Sequence, residues 1–532
     1  MTDRCTASQR LRGRRLTFTL KTTMREASDR KHHPHLYGYS AAYLLVFALV
    51  ALVNRFDRWL ALPPASIHQW RQADGASIAR HYATDLRLGE VRIGNLQTTG
   101  DAHACGEFPG LYWLAGLTER FWGDVVAFPL RWIGLVLLFA GGWCFGWLLL
   151  LRHDWPVAAL GTGLLLTAPV LAYYGPNTLP DAPAFCFILI MAACLQQAGV
   201  SGRRRWVLLA GLAGGMAILL KISMAILPLA LSAAWGFGAR RRALGPGSVW
   251  SGRWPVWIMA GVLFLTAGFQ AWMMRYNAGH HSRYFLAATR PIWRYDGAFI
   301  LETLRQMSLF VLPAFASAGL YLAAAGCAIL LVKNWKSTNW LYKAIAWPTL
   351  AGSIAYFLLW FRMFREHDYY SICLLVVPAG LLVAGLPHWQ ARYGRKSVLT
   401  GLALCLVLGL WHDHRLMSKR LQLAFFPPSD LTLPPDAFLS AAETDALGIP
   451  PEARFWCPQD PSPNTALYAL NREGWTAYNF GRRITADTLE RYQMQFGLSH
   501  LALRDSSKYD SLYRRYFPKG GRAGRGWWVY WR

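Results

Sequence analysis

Apolar runs close to 20 residues long recur along this chain, and they constrain its fold more than any other feature. A helix needs about 20 apolar residues to cross roughly 30 Å of hydrocarbon. Over 532 residues the sequence is 54% hydrophobic and 16% charged, with 26 Trp. That composition predicts a mainly α, polytopic transmembrane helical bundle. About eleven spans are expected, at 38–56, 125–151, 155–174, 181–199, 206–220, 222–238, 254–274, 308–332, 344–361, 370–388 and 397–411.

Charge then orients the bundle. The net charge of +26 would suggest nucleic acid in a soluble chain, but here the Lys and Arg excess falls on short loops, the ordinary topology signal. With the N-terminus in the cytoplasm, the connections Arg152-His153, SGRRRW (201–206), ARRRALGPGSVWSGR (239–253), KNWKSTNWLYK (333–343) and WQARYGRK (389–396) all lie inside, and none contains an acid. The opposite side collects Asp74, Asp85, Glu90, Asp101, Glu107, Asp181, Asp296, Glu366 and Asp368. The first 39 residues carry nine Lys or Arg against three acids and read as part of a basic cytoplasmic tail, 1–37. RRLTF at 14–18 precedes a full-length span rather than a short apolar stretch with a cleavage site, so it is not read as an export signal.

Two external loops are large, 57–124 and 275–307. The first holds two helix-like pieces, 74–88 and 110–122, the second of which is aromatic and too short to span, as suits a helix lying in the interface. After 411 the chain turns polar, with Pro-rich punctuation at 427–436. Strands near 453–457, 498–504 and 526–531 alternate with helices near 463–471, 485–496 and 507–516, which predicts a small soluble α/β domain over 412–532. The nine cysteines form no CxxC pair, so no metal or redox site follows from them; Cys105 and Cys457 become a disulfide candidate only if both face an oxidising compartment.

Candidate chemistry clusters on the external side. Asp74, in HQWRQADGASIARHYATD (68–85), can take a proton from a hydroxyl or hold a cation, or it is an ordinary acid near a helix N-terminus. Glu107 in GEFPGLYWL sits just before the interfacial helix that Pro109 starts. Asp181, between two prolines, heads a span where an acid is welcome whatever its role. FRMFREHDYY (361–370) places Arg362, Arg365, Glu366, His367 and Asp368 at one helix end. Arg suits phosphate recognition, and Arg275, Arg283, Arg290 and Arg294 run against the topology signal, as a binding site for an anionic lipid head group would require. Lys221 is the basic residue embedded in the apolar pair 206–238, either snorkelling or in a site. His280-His281 and His412/His414 lack the spacing of a metal site.

Taken in order, RQADGASIARHY, GEFPGLYWLAGL, YYGPNTLPDAPAF, LLKISMAILPLAL and EHDYY resemble the glycosyltransferase-C superfamily, and more narrowly its bacterial protein-mannosyltransferase and aminoarabinose-transferase members, over about residues 40–390. The resemblance implies an integral membrane glycosyltransferase of the bacterial inner membrane. It would move a sugar, with inversion, from a polyprenyl-phosphate donor to a periplasmic glycan, lipid or protein acceptor. It implies Asp74 as the catalytic acid of the first loop, with Glu107 and Asp181 as supporting acids. His367 and Asp368 join these as support or as possible ligands of a divalent cation. Arg71, Lys221, Arg283, Arg290, Arg362 and Arg365 are then the candidates for the lipid phosphate. Two departures stand out: family members often carry Glu-Lys-Pro-Pro where this chain has Glu107-Phe108-Pro109-Gly110, and the first acid lies in RQAD rather than an Asp-Glu pair. The alternative reading, a lipid-linked sugar transporter or flippase, favours internal repeats and midplane charges, neither of which the sequence displays.

Overall fold

A computed structural model describes residues 36–122, 128–240, 254–282, 284, 289–338, 340–422, 432–481 and 484–532. Most of the basic tail, the 241–253 loop and Arg283 lie outside these described residues.

Among the described residues, six helices are long and apolar enough to cross a membrane: Leu36–Val53, Pro129–Leu150, Asp181–Ser201, Trp257–Gly279, Gly297–Phe315 and Asp368–Leu421. Shorter apolar helices, Trp155–Leu166, Ile222–Trp235 and Ala318–Lys333, pack among them. Several of the expected spans have different limits. The run 155–174 is two helices, Trp155–Leu166 and Pro169–Tyr174, because Pro169 has no N–H to continue the ladder and starts a new helix at its first position. The run 308–332 also divides. A helix begins inside the expected loop at Gly297, where the Asp296 side chain accepts a hydrogen bond from the Phe299 N–H. It continues to Phe315 and stops at extended Ala316, after which Ser317 caps a fresh helix, Ala318–Lys333. The last two expected spans meet at Gly394, whose φ of 78° breaks an otherwise continuous helix from Val376 to Leu421. That helix runs past 411 and carries buried Asp413 and Arg420 on its final turns.

The two helices of the 57–124 loop lie close to their expected places, at Gln69–Thr84 and Gly110–Trp122. They pack against each other so tightly that a Cβ on Gly116 would come within 2.6 Å of the Ala79 carbonyl oxygen. Gln69–Thr84 shows no amphipathic stripe, because both of its faces are covered: one by Gly110–Trp122, another by Thr465–Ala469 of the C-terminal region.

The C-terminal region is a five-stranded mixed sheet with helices. Its strands are β1 (Arg454–Cys457), β2 (Glu473–Thr476), β3 (Leu498–Leu503), β4 (Lys519–Gly524) and β5 (Trp527–Trp531), in the order β2-β1-β3-β5-β4. β2 and β4 are additional to the sequence reading. Each is Gly-bearing and lacks the β-branched alternation that marks a strand. The β2 edge is not left open: Asn95 of the 57–124 loop bridges to Gly474 in parallel, with the Leu96 N–H donating to the Gly474 carbonyl (2.8 Å) and the Gly474 N–H to that of Gly94 (3.0 Å). A loop thus covers a sheet edge that would otherwise invite pairing, and it ties the C-terminal sheet to the membrane-proximal helices.

Candidate active site

A cavity of about 1140 Å³ lies between these layers. Its long wall is apolar, formed by residues such as Ile226, Leu229, Ala233, Gly352 and Ala355 of two neighbouring helices. Its other end is lined by Arg71, Glu107, Lys221, Tyr284 and His367, under a roof of Pro461, Ser462, Pro463 and Tyr478 from the C-terminal region.

The polar end is assembled from short segments. His68, in the left-handed region at φ 55°, turns the chain into the Gln69–Thr84 helix. Gln72 fixes that turn by donating to the carbonyls of Ala65 (2.6 Å) and Ile67 (3.0 Å), while Arg131 grips the carbonyls of Leu62 and Pro63 (both 2.9 Å). Arg71 and Asp74 then fall three apart and share a face. Gly75 is required beside them, since a Cβ there would meet the Tyr112 ring at 2.8 Å and the Thr178 carbonyl at 3.0 Å.

Asp74 is fully buried. Its Oδ1 accepts hydrogen bonds from the Tyr284 hydroxyl (2.6 Å) and from Asn464 Nδ2 (2.9 Å). Its Oδ2 has no hydrogen-bond partner among the described residues; Arg71 Nη1 stands 3.8 Å away. Burial pushes this carboxyl up to about 6, against the pull of Arg71 and of the two donors. Arg71 itself is committed to Glu107, which also accepts from the Tyr112 hydroxyl. Burial pushes Glu107 up, but Arg71 and Lys221 outweigh it and hold the carboxyl below its ordinary value.

Lys221 sits at a helix break. The Arg204–Leu220 helix ends there, Lys221 is extended, and a 3-10 turn over Ile222–Ala225 follows. The break turns its ammonium toward Asp181 Oδ1 at 3.1 Å, over the rings of Tyr369 and Tyr370 at 5.5 and 5.2 Å. Asp181 is the first residue of its helix and is buried. The residue read as either snorkelling or functional therefore occupies the cavity wall, paired with buried Asp181.

The remaining sequence candidates fall in other places. Asp368 is buried behind the site, accepting from Arg420 Nη2 at 2.6 Å and from the Tyr174 hydroxyl at 2.5 Å, with His68 Nε2 3.3 Å away. His367 lines the cavity with its ring stacked on Tyr369, and burial pushes it down to about 3, so it is neutral. Arg362 pairs with Glu366 (2.8 Å), and Arg365 donates to Gln306 (2.9 Å) over the Phe299 ring. Neither lines the cavity, nor does exposed Arg290. Glu107, Asp181 and Asp368 each face a cation of the chain itself, which leaves little negative charge for a metal. Among the described residues, the group whose ligand atoms converge within 4.8 Å is Asp101, His103 and His280. Cys105 and Cys457 are both free and buried.

Tyr284 and Asn464 were not visible as site residues in the sequence. One lies in a loop between spans, the other 390 positions after Asp74. The available signal was the run Pro461-Ser462-Pro463-Asn464, whose turn-forming residues mark a loop but not where it points.

No family model matches the chain, and no curated protein matches it in sequence. Solved structures do. ArnT from Cupriavidus metallidurans in the apo state aligns over 92% of this chain and 98% of its own, with a TM-score of 0.58 at 14% identity. The same protein bound to undecaprenyl phosphate aligns over 92% and 97%, with a TM-score of 0.56 at 14% identity. An oligosaccharyltransferase from Archaeoglobus fulgidus, tethered to an acceptor peptide, aligns over 91% and 72%, with a TM-score of 0.50 at 10% identity. At such identities the likeness is one of fold.

Proposed function

We propose that this chain is an integral membrane glycosyltransferase that moves a sugar from a polyprenyl-phosphate donor to a hydroxyl acceptor on the periplasmic face. The observation that carries the reading is the cavity. One continuous space has an apolar wall suited to an isoprenoid chain and a polar end with two cationic side chains, Arg71 and Lys221, next to a buried carboxyl with one unpartnered oxygen. The undecaprenyl phosphate bound to ArnT, a protein of the same fold, supports the same ligand class here.

The chemistry follows from the placement. The acceptor oxygen attacks the anomeric carbon as the bond from that carbon to the phosphate oxygen breaks, and a single displacement inverts the centre. Negative charge gathers on the leaving phosphate, where Arg71 and Lys221 stabilise it. The acceptor proton ends on Asp74, whose raised pKa of about 6 suits a base working near neutrality. Glu107 and Asp181 hold the two cations in place. Basic loops on the opposite side of the bundle support a periplasmic orientation.

Purified protein in detergent, given polyprenyl-phosphate sugars of several kinds with lipid, glycan and protein acceptors, should release polyprenyl phosphate and form an inverted glycoside. Donor movement across liposomes with no glycoside formed would instead favour a flippase and overturn the reading.

A further inference from the structure

Asp74 is fully buried and is not part of the cavity wall; Tyr284, hydrogen-bonded to it at 2.6 Å, is. A group in the cavity therefore meets the Tyr284 hydroxyl before it meets the carboxylate. Asn464 contacts both, with Nδ2 2.9 Å from Asp74 Oδ1 and 3.2 Å from the Tyr284 hydroxyl oxygen. Its amide cannot be reversed without loss, because Asn464 Oδ1 accepts the Asn95 N–H at 2.9 Å. Asn464 is itself anchored from within the C-terminal region. Buried Asp460 accepts the N–H groups of Ser462 (2.8 Å) and Ala466 (2.6 Å), which fixes the loop that presents it.

From this geometry we propose, resting on the glycosyltransferase reading, that Tyr284 relays the acceptor proton to Asp74, and that Asn464, lent by the C-terminal region, is the residue that positions both. The acceptor O–H proton passes to Tyr284 Oη as the Tyr284 proton passes to Asp74 Oδ1. The acceptor oxygen bonds to the anomeric carbon, and the electron pair of the broken bond leaves on the phosphate. Tyr284 ends as it began, and one proton rests on Asp74. The role of the C-terminal region is thus to complete the active centre: without it, Asp74 Oδ1 would lose one of its two donors and the Tyr284 hydroxyl one of the groups that contact it.

The groups facing Asp74 are Arg71 on its own helix, Glu107 from the loop, Tyr284, and Asn464, Asp460 and Tyr478 from the C-terminal region. Two variants read the proposal separately. Tyr284→Phe keeps the ring, which packs edge-on against Tyr478, and should lower kcat about 10²-fold while the donor KM changes by less than about twofold. Asn464→Asp keeps the acceptor for the Asn95 N–H but turns a donor into an acceptor beside Asp74. It should move the acidic limb of the kcat profile up by about one pH unit or more. Asn464→Ser, which keeps a donor, should recover part of that shift. Thermal unfolding of each variant shows whether the fold is intact. An active wild type with Tyr284→Phe within about threefold of it would mean that the acceptor reaches Asp74 directly, which overturns the relay and leaves the glycosyltransferase reading standing. An unmoved acidic limb in Asn464→Asp would reduce Asn464 to a structural tie. A wild type that transfers no sugar removes the glycosyltransferase reading and the relay together.

Discussion

Two aspartates near the same end of the bundle, Asp74 and Asp368, are both buried and yet have opposite surroundings. Asp368 has both oxygens engaged: Oδ1 takes the Tyr174 hydroxyl with His68 nearby, and Oδ2 takes Arg420, whose guanidinium lies 4.3 Å over the Tyr173 ring. Asp74 has two neutral donors on Oδ1 and an Oδ2 with no hydrogen-bond partner, and its nearest cation is already held by Glu107. Taking a carboxylate out of water is costly unless charge and hydrogen bonds replace the lost solvent. Where replacement is complete the acid is a structural clamp. Where it is partial the carboxyl titrates nearer neutrality, which suits a group that must take up a proton and release it again.

The largest effect that separates the two is on rate. Asp74→Asn keeps shape and removes basicity, and should lower sugar transfer about 10²- to 10⁴-fold in a folded, donor-binding protein; an active variant would end the base assignment and leave Asp181 as the next candidate. Asp368→Ala should act on stability instead. It strands Arg420 in the interior, and breaking a buried pair costs about 3–5 kcal/mol, so denaturation should come much earlier, and Asp368→Ala with Arg420→Met should recover much of the loss. If Asp368→Ala left stability unchanged, the clamp description would fail.

The pH response sharpens the contrast. The Asp74 carboxyl is raised from 3.8 to about 6 in the folded protein, so the folded state holds this proton more tightly than the unfolded chain. Its contribution to stability is therefore present at low pH and is lost as pH rises from about 4 through 6. Activity runs the other way, falling about tenfold per pH unit below 6 as the base is protonated. Initial rates and unfolding followed over the same buffers should show the two slopes with opposite sign.

Smaller changes concern the phosphate. Lys221→Met leaves Asp181 without this cation and removes one of the two cations lining the polar end, and should weaken donor binding about 10- to 100-fold, in line with about 1.5–3 kcal/mol for a charged hydrogen bond. Arg365→Ala should matter least. Its partners are Gln306 and the Phe299 ring on the outside of the cavity, and an effect on donor affinity above about 1 kcal/mol would exceed what such partly exposed contacts supply and would bring the external Arg group back into the site.

Much of this was legible from the chain alone. Segments of nearly unbroken apolar residues have one stable solution in lipid, the helix, and loop charge gave their expected orientation. Pro109 and the aromatic run after it marked the Gly110–Trp122 helix, and the acids Asp74, Glu107 and Asp181 lie in or against the polar end of the cavity. The limits of the spans were less legible where a capping residue overrode hydropathy, as at Asp296 and Ser317, because an apolar run does not record where a helix stops and restarts. β2 and β4 escaped for a related reason: their glycines carry no side-chain pattern, and they become strands through pairing with distant partners.

The sequence by itself determined a mainly helical chain of long apolar segments followed by a small α/β region, because hydropathy and charge act locally and their periods can be read in a window. Only the tertiary structure decided which charges meet. It turned Lys221 onto Asp181 at a helix break, committed Arg71 to Glu107, closed Asp368 with Arg420, and brought Tyr284 and Asn464 onto Asp74. Each of those pairings depends on burial and on contacts between residues far apart in the chain, and the energy that selects them exists only once water has been excluded.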